Sequence, residues 1–447
     1  MRGGVLLTAL LLAAAPAAAG AESVLMISID GLRPGDVLEA EKRGLKVPNL
    51  RRFVTDGAFA RGVTGVLPTV TYPSHTTLLT GVGPAKHGIL NNTTFDALQA
   101  NYDGWYWYAS DIRVPTLWDA AAKAGLSTGN VHWPVSVGAD IRWNLPQIWR
   151  SGQADDAKLV SALASSGLVA TLERSLGEPY AAGIDESITG DEKRGRFAVR
   201  LIRDMKPDFA TVYLTALDHE QHAEGPDTPQ ARAVLERIDA IVGTLVAAQR
   251  AAHPDGAVAV VSDHGFEPIT TETNFYRAFI EAGLMTLEGG KIRDWEATPW
   301  TSGGSTAIVL RRPEDAALVA RVRGVLEKLK ADPATRIARI VGREEIDALR
   351  ANPDASFYVD MLPGAATGGF ASAGGPLVAP TRYKGTHGYF PGSEHIRSAF
   401  FLMGKGIAPG KDLGVIDMRA IAPTVASVLG VSLPTADLQA LPVNAEK

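Results

Sequence analysis

Ala257-Val-Ala-Val-Val-Ser262 is an unbroken apolar run that leads straight into Asp263-His264-Gly265. The same pattern opens the mature part of the chain, where Ser23-Val-Leu-Met-Ile-Ser-Ile29 ends at Asp30-Gly31. A third run, Phe209-Ala-Thr-Val-Tyr-Leu-Thr-Ala216, stops just before Asp218. Runs without polar alternation read as strands buried on both faces, the pattern of a parallel sheet. Helical patterns lie between and around them, over Pro48–Asp56, Thr116–Ala124, Asp191–Met205 and Thr228–Ala251. Strands alternating with such helices predict an α/β fold, a mostly parallel sheet with helices on both faces. Ligands of such sheets gather at the carboxyl ends of the strands, where Asp30, Asp218, Asp263 and His264 all fall.

Outward from this core the signals weaken. Residues from about 267 to 383 have a looser rhythm, with a helix near Pro313–Ala331, a short run Phe357–Met361 and a Gly/Ala/Pro-rich stretch, Pro363–Pro380. They are expected to form a smaller lobe inserted in a catalytic domain of residues 22–447. The chain then returns through Ala399–Met403 to a last helix near Asp417–Leu429. At the other end, Arg2, the apolar Val5–Leu12 and the small residues Ala13–Ala21 have the layout of a signal peptide over residues 1–21. Cleavage would leave an exported protein, periplasmic or secreted, with no stable membrane anchor.

The 447 residues carry 44 Lys and Arg against 49 Asp and Glu, a formal charge of −5. This balance offers no basic footprint for long nucleic acid, but it leaves small phosphate ligands open. There is no cysteine. That excludes disulfides, thiolate metal sites and a Cys nucleophile, so any metal must be held by imidazole and carboxylate.

Such a donor set is present. Asp218 and His222 are four residues apart, Asp263 and His264 are adjacent, and His387 sits in Gly385-Thr-His-Gly388 between small neighbours. With Asp30 they form an oxygen-and-nitrogen set suited to zinc. Two clusters of this kind imply two ions, which can clamp the attacking and leaving oxygens of an in-line displacement. The candidate nucleophile is Thr71, in a loop, Pro68-Thr-Val-Thr-Tyr-Pro-Ser-His75, that feeds a helix through Thr76 to Thr80. Its hydroxyl needs a metal to become reactive.

Taken in order, Ser28-Ile-Asp-Gly31, Pro68–His75, Thr80-Gly81, His87-Gly88, Asp218-x-x-x-His222-x-x-Gly-Pro226, Ser262–Gly265 and Gly385–Gly388 resemble the nucleotide pyrophosphatase/phosphodiesterase family of the alkaline phosphatase superfamily. The likeness runs from about Val24 to Leu429 and is that of a bacterial, exported member. It implies an alkaline-phosphatase-like core and two zinc ions, other divalent ions being left open. By the resemblance, Asp218, His222 and His387 hold one ion; Asp30, Asp263, His264 and the Thr71 oxygen hold the other. It further implies that Asn92 donates to a phosphoryl oxygen, with Asn91 beside it where Asp is frequent in the family. Three aspartates and an ionised Thr71 against two divalent ions leave the core near neutral, which suits a phosphodiester.

The implied function is hydrolysis of phosphodiester or pyrophosphate bonds in nucleotide-like small molecules through a phospho-threonine intermediate. Two alternatives stand beside it: a phosphomonoesterase of the same superfamily, which needs extra cations such as Arg142 or Arg150, and a non-catalytic zinc-binding protein. Tyr72 has two readings, a ring that stacks on a base or aryl group and simple packing of the loop. Trp149 is a weaker candidate for a facing wall.

Overall fold

The structure, a computed structural model, describes residues 23–101, 104–148, 155–182 and 185–445. The signal-peptide expectation over residues 1–21, and the candidates Trp149 and Arg150, lie outside them. Among the described residues, no helix is long and apolar enough to cross a membrane.

In chain order, the elements that matter for the site are β1 (Val24–Ile29), β2 (Ala58–Phe59), α1 (Thr71–Thr80), β3 (Thr128–Val131), β4 (Trp143–Leu145), α2 (Ile188–Met205), β5 (Phe209–Leu214), α3 (Ala216–Glu224), α4 (Pro229–Ala252), β6 (Ala257–Val261), β7 (Phe400–Gly404), β8 (Lys411–Asp412) and α5 (Ile421–Leu429). The eight strands form one sheet in the order β8-β2-β7-β6-β1-β5-β3-β4. β1 pairs in parallel with β5 on one side and β6 on the other, Val24 standing level with Phe209 and Ala257. The apolar runs thus occupy the centre, where both faces are covered. Leu25, Ile27 and Ile29 pack into one core with α2 and α4, while Val24 and Met26 pack into a second with α1 and α5. β7 runs antiparallel to both its neighbours, the exception to the otherwise parallel order.

The level register brings the ends of β1, β5 and β6 to one edge, so Asp30, Asp263 and the first turn of α3 meet there. α1 begins earlier than the sequence pattern predicts, at Thr71 rather than Thr76. Pro73 hides this start from a sequence reading, yet proline is tolerated in a first helical turn, where its missing N–H has no helical partner.

Residues 297–361 carry a second sheet of four antiparallel strands, ordered Ala297–Thr301, Ser305–Leu310, Ala355–Met361, Ile337–Gly342. The helix Ala316–Ala331 packs on it through Leu318, Val322 and Leu326, in an apolar cluster separate from the two cores of the main sheet.

Candidate metal centre

The sheet edge gathers two overlapping groups of ligand atoms. Asp30, Asp263 and His264 form one; Asp218, His264 and His387 form the other, each with its donor atoms within 4.8 Å of one another. His264 Nε2 lies 3.3 Å from Asp30 Oδ1 and 3.1 Å from Asp263 Oδ2. His387 Nε2 lies 3.6 Å and His222 Nε2 3.5 Å from Asp218 Oδ1. The four-residue spacing groups Asp218 with His222, since that is one turn of α3. What the sequence does not reveal is that His264 also faces Asp218 and His387, its ring stacked on that of His387 at 3.6 Å.

Five of the six candidate ligands are oriented by their other polar atom. His222 Nδ1 donates to Gly385 O (2.9 Å), His387 Nδ1 to Thr69 O (3.1 Å) and His264 Nδ1 to Gly265 O (3.2 Å). All three imidazoles thereby turn Nε2 toward the carboxylates, the orientation metal-binding histidines adopt. Tyr213 OH donates to Asp30 Oδ2, and the Gly31 N–H donates to Asp263 Oδ1 at 3.2 Å. The atoms left over are telling: Asp30 Oδ1, Asp218 Oδ1, Asp263 Oδ2 and His264 Nε2 are buried without a hydrogen-bond partner. Orphaned buried acceptors are costly, and four converging on one space fit divalent cations.

The electrostatics agree. Burial, and then the charges of Asp218 and Asp263, push the Asp30 carboxyl well above its usual range. Burial also raises Asp218, although His222 and His264 oppose it. For Asp263 burial acts upward too, but the adjacent His264 and then His75 outweigh it and hold the acid ionised. Burial, then His264 and His222, keeps His387 neutral and able to ligate. Three carboxylates crowded this way call for positive charge.

Thr71 is the first residue of α1 and is buried, and His75, one turn on, brings its Nδ1 to 3.6 Å from Asp263 Oδ2. The Thr71 carbonyl accepts from His75 Nδ1 (2.8 Å), while His75 Nε2 accepts from Ser28 Oγ on β1 (2.8 Å). His387 holds the same turn through Thr69. Asn92 Oδ1 accepts from the Tyr72 N–H at 2.9 Å, so its amide NH₂ is the end left to meet a ligand. Asn91 is occupied elsewhere, its Nδ2 donating to Thr301 O and Ser302 Oγ, both at 3.1 Å.

Tyr72 departs from the stacking expectation. Its ring is only 1% exposed, packed against Trp105 and Trp107 with its OH donating to Gln147 Oε1 (2.9 Å). A ring enclosed this way offers no face to a base; it packs the loop. The small neighbours of His387 also serve another purpose than access to an ion. Gly388 has φ +86°, and a Cβ there would lie 1.5 Å from Ser302 O, so glycine lets two backbones cross. Arg142 lays its guanidinium over the Trp143 ring, 4.7 Å from its centroid.

Sequence reading missed Tyr213 and a buried pair that seats α3. Asp191 on α2 accepts from the Thr215 (3.0 Å) and Ala216 (2.8 Å) N–H groups, and Arg194 Nε donates to it at 3.0 Å. The only local signal was an i,i+3 Asp/Arg spacing, which reads as an ordinary solvated helix face.

An α/β sheet that collects carboxylates and imidazoles at its carboxyl edge is the architecture of the alkaline-phosphatase-like fold. Residues 24–389 match the model of the type I phosphodiesterase / nucleotide pyrophosphatase family, and the chain belongs to that family. It is 26% identical over 287 residues to a venom phosphodiesterase (CdcPDE) of Crotalus durissus collilineatus, which covers 61% of this chain and 30% of that protein. Over 264 residues it is 26% identical to human ectonucleotide pyrophosphatase/phosphodiesterase family member 1, covering 56% of this chain and 24% of the relative. The chain thus spans less than a third of the length of these curated relatives. Both are animal proteins, so a bacterial source gains no support from them. Among solved structures, human ectonucleotide pyrophosphatase/phosphodiesterase 5 shares the fold with TM-score 0.64 at 18% identity, over 95% of this chain and 97% of that one. An inactive variant of the murine protein in complex with AMP aligns with TM-score 0.65 at 17% identity, over the same shares.

Proposed function

We propose that the chain hydrolyses phosphodiester or pyrophosphate bonds of nucleotide-like small molecules through a phospho-Thr71 intermediate. The observation that carries this reading is the set of four orphaned ligand atoms beside the N-terminus of α1, where Thr71 stands. Asp218, His222 and His387 would hold one divalent ion and Asp30, Asp263 and His264 the other, with His264 facing both groups. The absence of thiolates and the imidazole–carboxylate set favour zinc. When bound, the two ions supply Lewis acidity that activates the Thr71 hydroxyl and neutralises charge at phosphorus and the leaving oxygen.

The protein's own groups do the rest. Thr71 Oγ releases its proton to solvent and bonds to phosphorus as the ester or anhydride oxygen on the far side departs with its electron pair. The Asn92 amide donates to a phosphoryl oxygen, its orientation fixed by the Tyr72 N–H. At the start of α1 the Tyr72 N–H is taken by Asn92 and Pro73 has none, which leaves the Thr71 N–H for the anion that the positive end of the helix favours. Water then cleaves the Thr71–phosphorus bond and restores the hydroxyl. AMP in the murine relative supports a nucleotide-like substrate. The separate apolar cluster around the second sheet supports reading residues 267–383 as a lobe inserted in the catalytic domain.

The test compares the unmutated protein with Thr71→Ala on an aryl nucleotide diester and the matching monoester, metal content being measured in both. Diester turnover should vanish in the variant with its metal largely retained. Unchanged turnover would remove Thr71 as nucleophile, and a strong monoester preference would make the chain a phosphatase.

A further inference from the structure

We propose that Tyr383 is a platform on which the leaving group stacks, and that it selects leaving groups combining a planar ring with a phosphate. This deepens the hydrolytic reading above and rests on it. Tyr383 is 61% exposed, the most exposed large hydrophobic side chain among the described residues. A single exposed ring needs no explanation in itself; its position does. The ring centroid lies 5.4 Å from that of His222, the planes at 58°. The backbone beneath it is fastened to the same histidine. The Lys384 N–H donates to His222 O at 2.9 Å, and Gly385 O accepts from His222 Nδ1 at 2.9 Å. The Tyr383 N–H is held in turn by Thr381 Oγ1 at 3.2 Å. The backbone that carries the ring is therefore anchored against the Asp218–His222–His387 half of the site.

That half is where a departing oxygen would be held. Two-centre sites place the attacking oxygen at one centre and the leaving oxygen at the other, and Thr71 belongs with Asp30, Asp263 and His264 in the reading above. A leaving group thus emerges beside His222, where it meets Tyr383. Arg382 and Lys384, the chain neighbours of Tyr383, are both exposed and give this segment two positive charges. An exposed aromatic ring beside His222, on a segment that carries two positive charges, matches a nucleoside phosphate better than an alcohol or bare phosphate, because the base can stack while the phosphate is neutralised. The favoured reaction is then cleavage of a pyrophosphate bridge between two nucleosides: Thr71 Oγ bonds to one phosphorus, the bridging P–O bond breaks, and the second nucleotide leaves with the bridging oxygen and its electron pair.

The experiment pairs diadenosine diphosphate with ADP on the metal-loaded protein, since both present the same nucleotidyl half but only the first has a ring in the leaving group. Tyr383→Ala should lower kcat/KM about tenfold for diadenosine diphosphate and by less than about twofold for ADP, with Tyr383→Phe close to the unmutated protein. Equal losses on both substrates, or none, would overturn the platform. A second arm measures binding in the Thr71→Ala background. There Tyr383→Ala should weaken diadenosine diphosphate about tenfold and leave AMP unchanged; equal affinities for diadenosine diphosphate with and without Tyr383 would overturn the proposal without any turnover. Failure of the unmutated protein to cleave either substrate would count against the hydrolytic reading, while the binding arm still decides on Tyr383.

Discussion

His87 shows how one buried side chain ties stability to pH. Its Nδ1 accepts from the Ile89 N–H at 3.1 Å, and its Nε2 meets Thr77 Oγ1 at 3.1 Å. Both ring nitrogens are engaged by the neutral form, and a second proton would collide with the Ile89 N–H. Burial pushes the imidazole down to about 3, against about 6.5 in an unfolded chain. The unfolded state therefore takes up a proton as pH falls below about 6.5 while the native state does not. The full stability from this residue exists above that pH and declines toward pH 3, by at most about 1.4 kcal/mol per unit. In urea unfolding between pH 6.5 and 4.5, His87→Gln should lose stability less steeply than the unmutated protein. Parallel slopes would show that His87 is not a source of the acid sensitivity.

At the scale of elements, α3 carries Asp218 and His222 but does not cap itself: its Thr215 side chain makes no capping bond. The cap comes from Asp191 on α2, which takes two N–H groups at the start of α3 while paired to Arg194, both side chains fully buried. Removing one member leaves the other charge buried without a partner, a loss of about 3–5 kcal/mol. Asp191→Ala should destabilise the protein by that amount in urea and lower metal retention through the loosened α3. A loss under about 1 kcal/mol would mean that the sheet alone seats α3.

Across the whole molecule, the ligands come from the ends of β1 and β6, from α3 and from the segment before β7, so bound ions would join parts of the chain far apart in sequence. Ligands that bind only the native state add stability by mass action, about 4 kcal/mol at a thousandfold excess over Kd. Exhaustive chelation should lower Tm by several degrees, and zinc should restore it. A Tm indifferent to chelation would contradict a site holding ions in the folded protein.

The residue types of the site and the strands that carry them were legible because both are local properties. An apolar run ending in Asp-Gly or Asp-His, or two ligands one helical turn apart, is written within a few residues. The antiparallel β7 was not legible, nor was the start of α1 at Thr71, the shared position of His264, the hold of Tyr213 on Asp30 or the Asp191 cap. Tyr72 could equally have lined the site or packed the loop until Trp105, Trp107 and Gln147 closed around it. By itself, then, the sequence determined which groups are available and which strand ends present them. Tertiary structure alone decided which groups come together, which aromatic is buried and which stands exposed beside His222, because those depend on the register of strands and the packing of segments hundreds of residues apart.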